Sequence, residues 1–286
     1  MTGRVAVVTD STAYLPTGAA EEHDIGVVPL QVTIGDRHGD EGIDIGPHDV
    51  EQALHDRGTI MQTSRPSPIR FREAYDAAVE QGASAIVVIT LSAALSGTFE
   101  SAEMAAKECS VEVHAVDSRS TAMGLGFAVL AAARLAATGA SVGAVAERAR
   151  RMAADTRALF CVDTLEHLRR GGRIGAVRAL VGTAFSVKPI LHIEDGEIGL
   201  LEKVRTASRA RTRLVDLAVM AAGERDVDLA LHHVTTDHPP TEIAEQLRDR
   251  LPRLRSIVTS PLGAAVAAHV GPGVVGVIVA PASAHA

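Results

Sequence analysis

Short β-branched runs alternate along this chain with longer stretches whose apolar residues recur at helical spacing. Val5 to Val8, Val27 to Ile34, Ala85 to Thr90 and Val111 to Val116 predict strands. Between and after them, Pro47 to Asp56, Pro68 to Gln81, Thr98 to Glu108 and Thr121 to Thr138 predict helices. Strands alternating with helices predict a mainly parallel sheet flanked by helices. An Ala- and Arg-rich helix over Val142 to Thr156 marks a shift in composition, and a domain boundary is expected there.

The second half opens on a strand at Leu159 to Val162, a helical Leu165 to Arg170 and a turn at Gly171 and Gly172. A helix over Ala176 to Phe185 follows, then a hairpin turning at Asp195-Gly196. Helices over Ala207 to Ala222 and Thr241 to Leu251 enclose a strand at Leu229 to Val234. The uncharged stretch from Gly263 to Ala284 is broken by His269 and Gly271-Pro272-Gly273, which predicts a helix and then a buried strand rather than a membrane span. The fold class is therefore two-domain α/β: an N-terminal domain over residues 1–156 with a mainly parallel sheet, and a C-terminal domain over 157–286 with a mixed or antiparallel sheet.

Composition narrows the function. With 286 residues and 47% hydrophobic content, the chain has ample apolar area for a folded core. Five Phe, two Tyr and no Trp leave that core to aliphatic side chains, a poor platform for stacking on bases. A net charge of -7 without a polybasic run argues against nucleic-acid binding. Only three of the 28 cations are Lys, so nearly all can grip a carboxylate or phosphate in bidentate fashion. Cys109 and Cys161 stand far apart, and the apolar run after Arg4 is too short for a signal peptide, so a cytoplasmic location is expected.

Three segments could carry chemistry: Thr9-Asp10-Ser11-Thr12, Thr63-Ser64-Arg65-Pro66-Ser67-Pro68 and Leu95-Ser96-Gly97-Thr98. Each puts hydroxyls where a strand or loop opens a helix, and together the last two describe an anion site; capping without a ligand accounts equally for either loop alone. No P-loop, dinucleotide fingerprint or nucleophile elbow is present. His232, His233, Asp237 and His238 form the one candidate metal cluster, but adjacent histidines on a strand face opposite ways, and a polar strand end is preferred. Asp36, Asp40 and Asp44 lack the spacing of a calcium loop. His269, amid apolar neighbours, needs a polar partner.

The ordered set of motifs resembles the DegV family of bacterial fatty-acid-binding proteins, which includes the FakB acyl-binding subunit of fatty acid kinase. The resemblance runs through Asp10-Ser11-Thr12-Ala13, the Thr63 and Leu95 segments, Val116-Asp117-Ser118, Asp163-Thr164-Leu165 and Arg170-Gly171-Gly172-Arg173-Ile174. It continues through Lys188-Pro189-Ile190, Lys203-Val204-Arg205-Thr206 and His269-x-Gly271-Pro272-Gly273.

The resemblance implies one long-chain fatty acid in an interdomain tunnel, its carboxylate held by Thr63, Ser64, Ser96, the Gly97 amide and His269, with no cofactor and no bound metal. It implies that Arg173 and Arg205 dock a kinase catalytic subunit that forms the acyl phosphate, with peripheral membrane contact for lipid exchange and no catalytic residue on this chain. The alternative is a phosphoryl- or acyl-transfer enzyme using Ser96 and His269. Two residues depart from the family pattern, Arg65 for a common Gln and Tyr14 for a frequent Asp, and neither is expected to touch the matched ligands.

Overall fold

The computed structural model describes residues 3–56, 59–175, 177, 187–234 and 240–282. The first sheet is parallel, with order β2-β1-β6-β7, built from β1 (Arg4–Asp10), β2 (Ile25–Val28), β6 (Ala83–Thr90) and β7 (Glu112–Asp117). β6 is a near-continuous apolar run, as a parallel strand covered on both faces requires. Asp10, Thr90 and Asp117 end their strands on the same edge, so the loops that follow them crowd together there.

The expected strand over Val27 to Ile34 is instead two strands in two sheets. Pro29 has no N–H for a ladder, so pairing with β1 stops at Asp10↔Val28. The Leu30 amide then donates to Ser11 Oγ at 3.0 Å, and the chain turns into β3 (Gln31–Ile34). β3 is the centre of a small antiparallel sheet, flanked by β4 (Arg37–Asp40) and β5 (Met61–Ser64).

The third sheet has six strands in the order β10-β9-β8-β13-β11-β12. They are β8 (Arg157–Cys161), β9 (Lys188–Glu194), β10 (Glu197–Val204), β11 (Val227–His233), β12 (Leu254–Pro261) and β13 (Val275–Pro281). All neighbours are antiparallel except β11 and β12, so the sheet is mixed. The Asp195-Gly196 hairpin forms as expected, both residues taking positive φ of 52° and 86°.

Helices α3 (Pro68–Glu80), α4 (Thr98–Ala106) and α6 (Val142–Asp155) flank the parallel sheet, and α8 (Ala207–Ala222) and α9 (Thr241–Arg250) pack beside the mixed one. Two short helices come earlier, α1 (Ala19–Glu22) and α2 (Pro47–His55), and α7 (Glu166–Arg170) follows β8. The element joining the two halves is α5 (Met123–Ala137), in which the eleven residues from Met123 to Ala133 are all buried. A helix apolar on every side must be covered on every side. Val7 and Ile89 of the parallel sheet and Ala230 and Ile278 of the mixed sheet share one core with it.

The Gly263 to Ala284 stretch forms α10 (Ala264–Val270) and then β13, and no helix among the described residues is long and apolar enough to cross a membrane. The expected helix over Ala176 to Phe185 lies almost wholly outside the described residues, as do Asp237 and His238.

Candidate functional site

The structure joins two segments that are distant in the chain. Thr63 lies on β5 rather than in a helix-opening loop, and its Oγ1 meets Nε2 of His269 on α10 at 3.1 Å. Both border a cavity of about 930 Å³, counted out to its mouth, whose rim also includes Ser64, Arg65, Ser96 and Arg173. Beyond these polar groups the wall is largely apolar, with Leu159, Phe160, Ile193, Ile198, Val270 and Ile278 among its members.

His269 is held in place from three sides. The carboxylate of Glu41, from the end of β4, accepts the Ala265 N–H of α10 at 2.7 Å. Tyr14 donates to the same Glu41 oxygen at 3.0 Å and accepts the Val266 N–H at 3.2 Å, so two free amides of the first turn are satisfied. On the far side, a Cβ on Gly171 would stand 2.0 Å from His269 Nδ1, so only glycine lets the imidazole settle there. After Val270 the chain turns at Gly271 with φ 76°, a conformation that favours glycine, against the ring of His167.

Electrostatics make His269 a neutral group. Burial pushes its pKa down to about 4, and the nearby Arg173 guanidinium pushes the same way. Nδ1 is buried without a hydrogen-bond partner among the described residues. Glu41 lies in the opposite regime: burial raises its carboxyl above the usual range, although Ser11, Tyr14 and the Ala265 amide all donate to it. Asp10 beneath it is pushed up to about 6 by burial, while accepting from Thr12 and from the Leu91 amide.

The loop carrying Ser96 is gripped by the C-terminal half. Ser92 Oγ donates to the Gly196 carbonyl at 2.7 Å, and Arg173 Nε donates to the Leu95 carbonyl at 2.9 Å. Arg173, expected to dock a partner, is thus part of the cavity rim, whereas Arg205 is exposed just beyond β10. Gly97 precedes α4 and is not on the cavity wall; Arg65 lies over it, donating from Nη1 to its carbonyl at 3.1 Å.

Of the two departures from the family pattern, Arg65 does touch a matched residue, against expectation, because its guanidinium bonds the Gly97 carbonyl, whereas Tyr14 touches none of them and acts one step away, on the helix that carries His269. A long guanidinium reaches what a Gln would not, and the left-handed turn at Tyr14, φ 43°, aims its ring at α10. Glu41 went unnoticed because an acidic residue after a charged strand carries no sequence signal of burial.

The arrangement suits binding an anion more than activating a nucleophile. Ser96 Oγ shares a hydrogen bond with Thr98 Oγ1 at 2.9 Å, and His269 Nε2 faces Thr63, so the serine and the imidazole are not engaged as nucleophile and base. His232 is structural in this arrangement: buried, pushed down to about 4 by burial, it accepts the Met123 N–H and bonds the Ser260 carbonyl, each at 3.0 Å. The described residues contain no cluster of metal-ligating side chains.

A family model described as "Uncharacterised protein, DegV family" matches residues 4–282. A DegV domain-containing protein of Streptomyces coelicolor is 49% identical over 279 residues, covering 98% of this chain and 99% of its own. Among solved structures, a fatty-acid-binding DegV family protein of Thermus thermophilus superposes with a TM-score of 0.90 at 32% identity, covering 98% of this chain and all of that one. DegV of Bacillus subtilis, also a fatty acid binding protein, superposes with a TM-score of 0.89 at 31% identity over 98% of this chain. With the matched residues spanning all three sheets and the cavity, this chain belongs to the DegV family.

Proposed function

We propose that this protein binds a long-chain fatty acid in the cavity, with the carboxylate at the Thr63, Ser64, Ser96 and His269 end and the acyl chain along the aliphatic wall. The observation that carries this is the Thr63–His269 contact at the rim of a largely apolar cavity, with Ser64 and Ser96 on the same rim. Fatty-acid binding by relatives of the same fold supports it.

The energetics agree. Burying about fifteen methylenes at about 0.8 kcal/mol each gives a gross gain near 12 kcal/mol before association costs. The head is the expensive end, since an ionised carboxylate leaving water costs several kcal/mol unless donors replace its hydration. Hydroxyls and an imidazole supply those donors, and the Arg65 and Arg173 guanidinia on the rim add favourable charge.

In this reading residues 1–156 and 157–286 are two domains that close over the lipid. The protein acts as a cytoplasmic, FakB-like carrier without catalytic groups of its own, presenting the carboxylate to a kinase subunit that docks near Arg173 and Arg205. Peripheral contact with a membrane surface serves lipid exchange. The test is native mass spectrometry of the purified protein, before and after incubation with oleate or palmitate. An added mass equal to one fatty acid is expected; a bare polypeptide that takes up neither acid would overturn the reading.

A further inference from the structure

Two guanidinium groups reach the short loop that carries Ser96, one from each side. Arg173 Nε donates to the Leu95 carbonyl at 2.9 Å and Arg65 Nη1 to the Gly97 carbonyl at 3.1 Å, so Ser96 stands between two cations on the cavity rim. Neither cation has a carboxylate partner among the described residues. In a chain of net charge -7, acidic partners are not scarce. Two cations left without one at the mouth of an apolar cavity point to an anion that arrives from outside.

The two differ in freedom. Arg173 is part-buried and spends a second donor, Nη1, on the Gly171 carbonyl at 2.7 Å, so it is committed to holding the loop. Arg65 is exposed, and beyond its one bond the rest of its guanidinium has no partner among the described residues. Arg37 and Arg70, the other cations near the small sheet, are paired with Asp49 and Asp40.

The backbone fixes where Arg65 starts. Pro66 confines the residue before it to extended conformations, and Pro66 is itself buried while Pro68 opens α3, so the base is held and the side chain alone moves. At rest its Cδ, Cζ and Nη1 occupy the space that a Cβ on Gly97 would fill. A guanidinium on a single neutral carbonyl gives it up for a carboxylate, which offers two parallel bonds and the opposite charge.

We infer that Arg65 is the residue that reads the charge of the head: its guanidinium leaves the Gly97 carbonyl, grips the arriving carboxylate in bidentate fashion, and so favours an ionised acid over a neutral chain of equal length. The inference rests on the fatty-acid reading of the cavity and adds to it the group that sets head specificity.

The test compares oleate with oleyl alcohol, each displacing a fluorescent fatty acid from the wild-type protein, Arg65→Lys and Arg65→Gln, after the probe's own affinity for each protein is measured. Oleate is expected to bind Arg65→Gln about tenfold more weakly than the wild type, the range of a charge-assisted bond discounted for solvent exposure. Arg65→Lys should fall between them, because it keeps the charge and loses the fork. Oleyl alcohol should bind all three alike; where it binds too weakly to measure, the order of the three proteins toward oleate decides. The inference fails if oleate binds Arg65→Gln as tightly as the wild type, if acid and alcohol weaken by the same factor, or if lysine recovers nothing over glutamine. If oleate does not bind the wild-type protein, the fatty-acid reading fails first. Thermal melts of the three proteins confirm that an exposed side chain has been changed without loss of the fold.

Discussion

The hydroxyl of Thr63 and the imidazole Nε2 of His269 lie 3.1 Å apart although 206 positions separate them in the chain. The contact ties the small sheet of the N-terminal half to the last helix, and it defines where an anionic head can be held. Replacing Thr63 with Val removes the hydroxyl at constant shape. Oleate affinity, measured by displacement of a fluorescent fatty acid, should fall about three- to tenfold, the range of a single neutral hydrogen bond. Unchanged affinity would place the head elsewhere in the cavity.

Two glycines at the site make a paired prediction. A Cβ on Gly171 meets the His269 ring at 2.0 Å, and the ring is packed and cannot step aside, so Gly171→Ala should lower affinity at least as much as His269→Ala. A Cβ on Gly97 meets the far end of the Arg65 side chain at 2.2 Å, which is flexible and exposed, so Gly97→Ala should cost little. Titration of both variants with the same acid checks this. Equal losses would mean that His269 does not depend on the space beside Gly171.

Binding should take up protons. Burial and Arg173 hold the free His269 down at about 4, so it is neutral at pH 7. A carboxylate placed beside it favours the imidazolium and raises that pKa. A group whose pKa rises on binding strengthens the complex as pH falls toward its free value, so the His269 contribution to affinity should grow from about pH 6 toward pH 4. Calorimetry at pH 5 in two buffers of different ionisation heat reads the protons directly; more uptake is expected for the wild-type protein than for His269→Gln. The same proton count in both would remove His269 from the head site.

Stability should show two opposed acid responses. Asp10, raised from 3.8 to about 6 by burial, contributes stability that is full below its unfolded pKa and is lost as pH rises through about 6. His232, lowered from 6.5 to about 4 by burial, contributes stability that is full above 6.5 and is lost as pH falls toward 4. Between pH 4 and 6.5 the two partly cancel. Asp10→Asn removes the first response, so its stability, from urea unfolding at pH 7.5 and pH 5, should drop more steeply with acid than the wild type. Parallel pH profiles would show that Asp10 is not the proton-binding group.

Most of the fold was legible along the chain because its main strands are aliphatic runs and its helices repeat at helical spacing. β6, α3, α8 and the Asp195-Gly196 hairpin are where local pattern puts them. The failures have physical causes. Pro29 ends a ladder within a β-branched run that reads as unbroken, so one expected strand became two. β4 is the four residues Arg37-His38-Gly39-Asp40, an edge strand with no alternation to betray it. β12 mixes Arg and Ser with apolar residues on a partly exposed edge, and it too gave no signal.

At the site, motif order named Thr63, Ser96 and His269, and the cavity gathers all three, with Ser64 and Arg173 on the same rim. Local sequence also determined the aliphatic interior and the break at Gly271-Pro272-Gly273, because hydrophobic period and glycine conformation act within a few residues. Only the tertiary structure decided that Glu41 and Tyr14 seat the helix bearing His269 and that Gly171 leaves room for its ring. Those facts depend on which distant surfaces meet, and burial, which sets both the partners and the proton affinities of such groups, exists only once the chain has closed on itself.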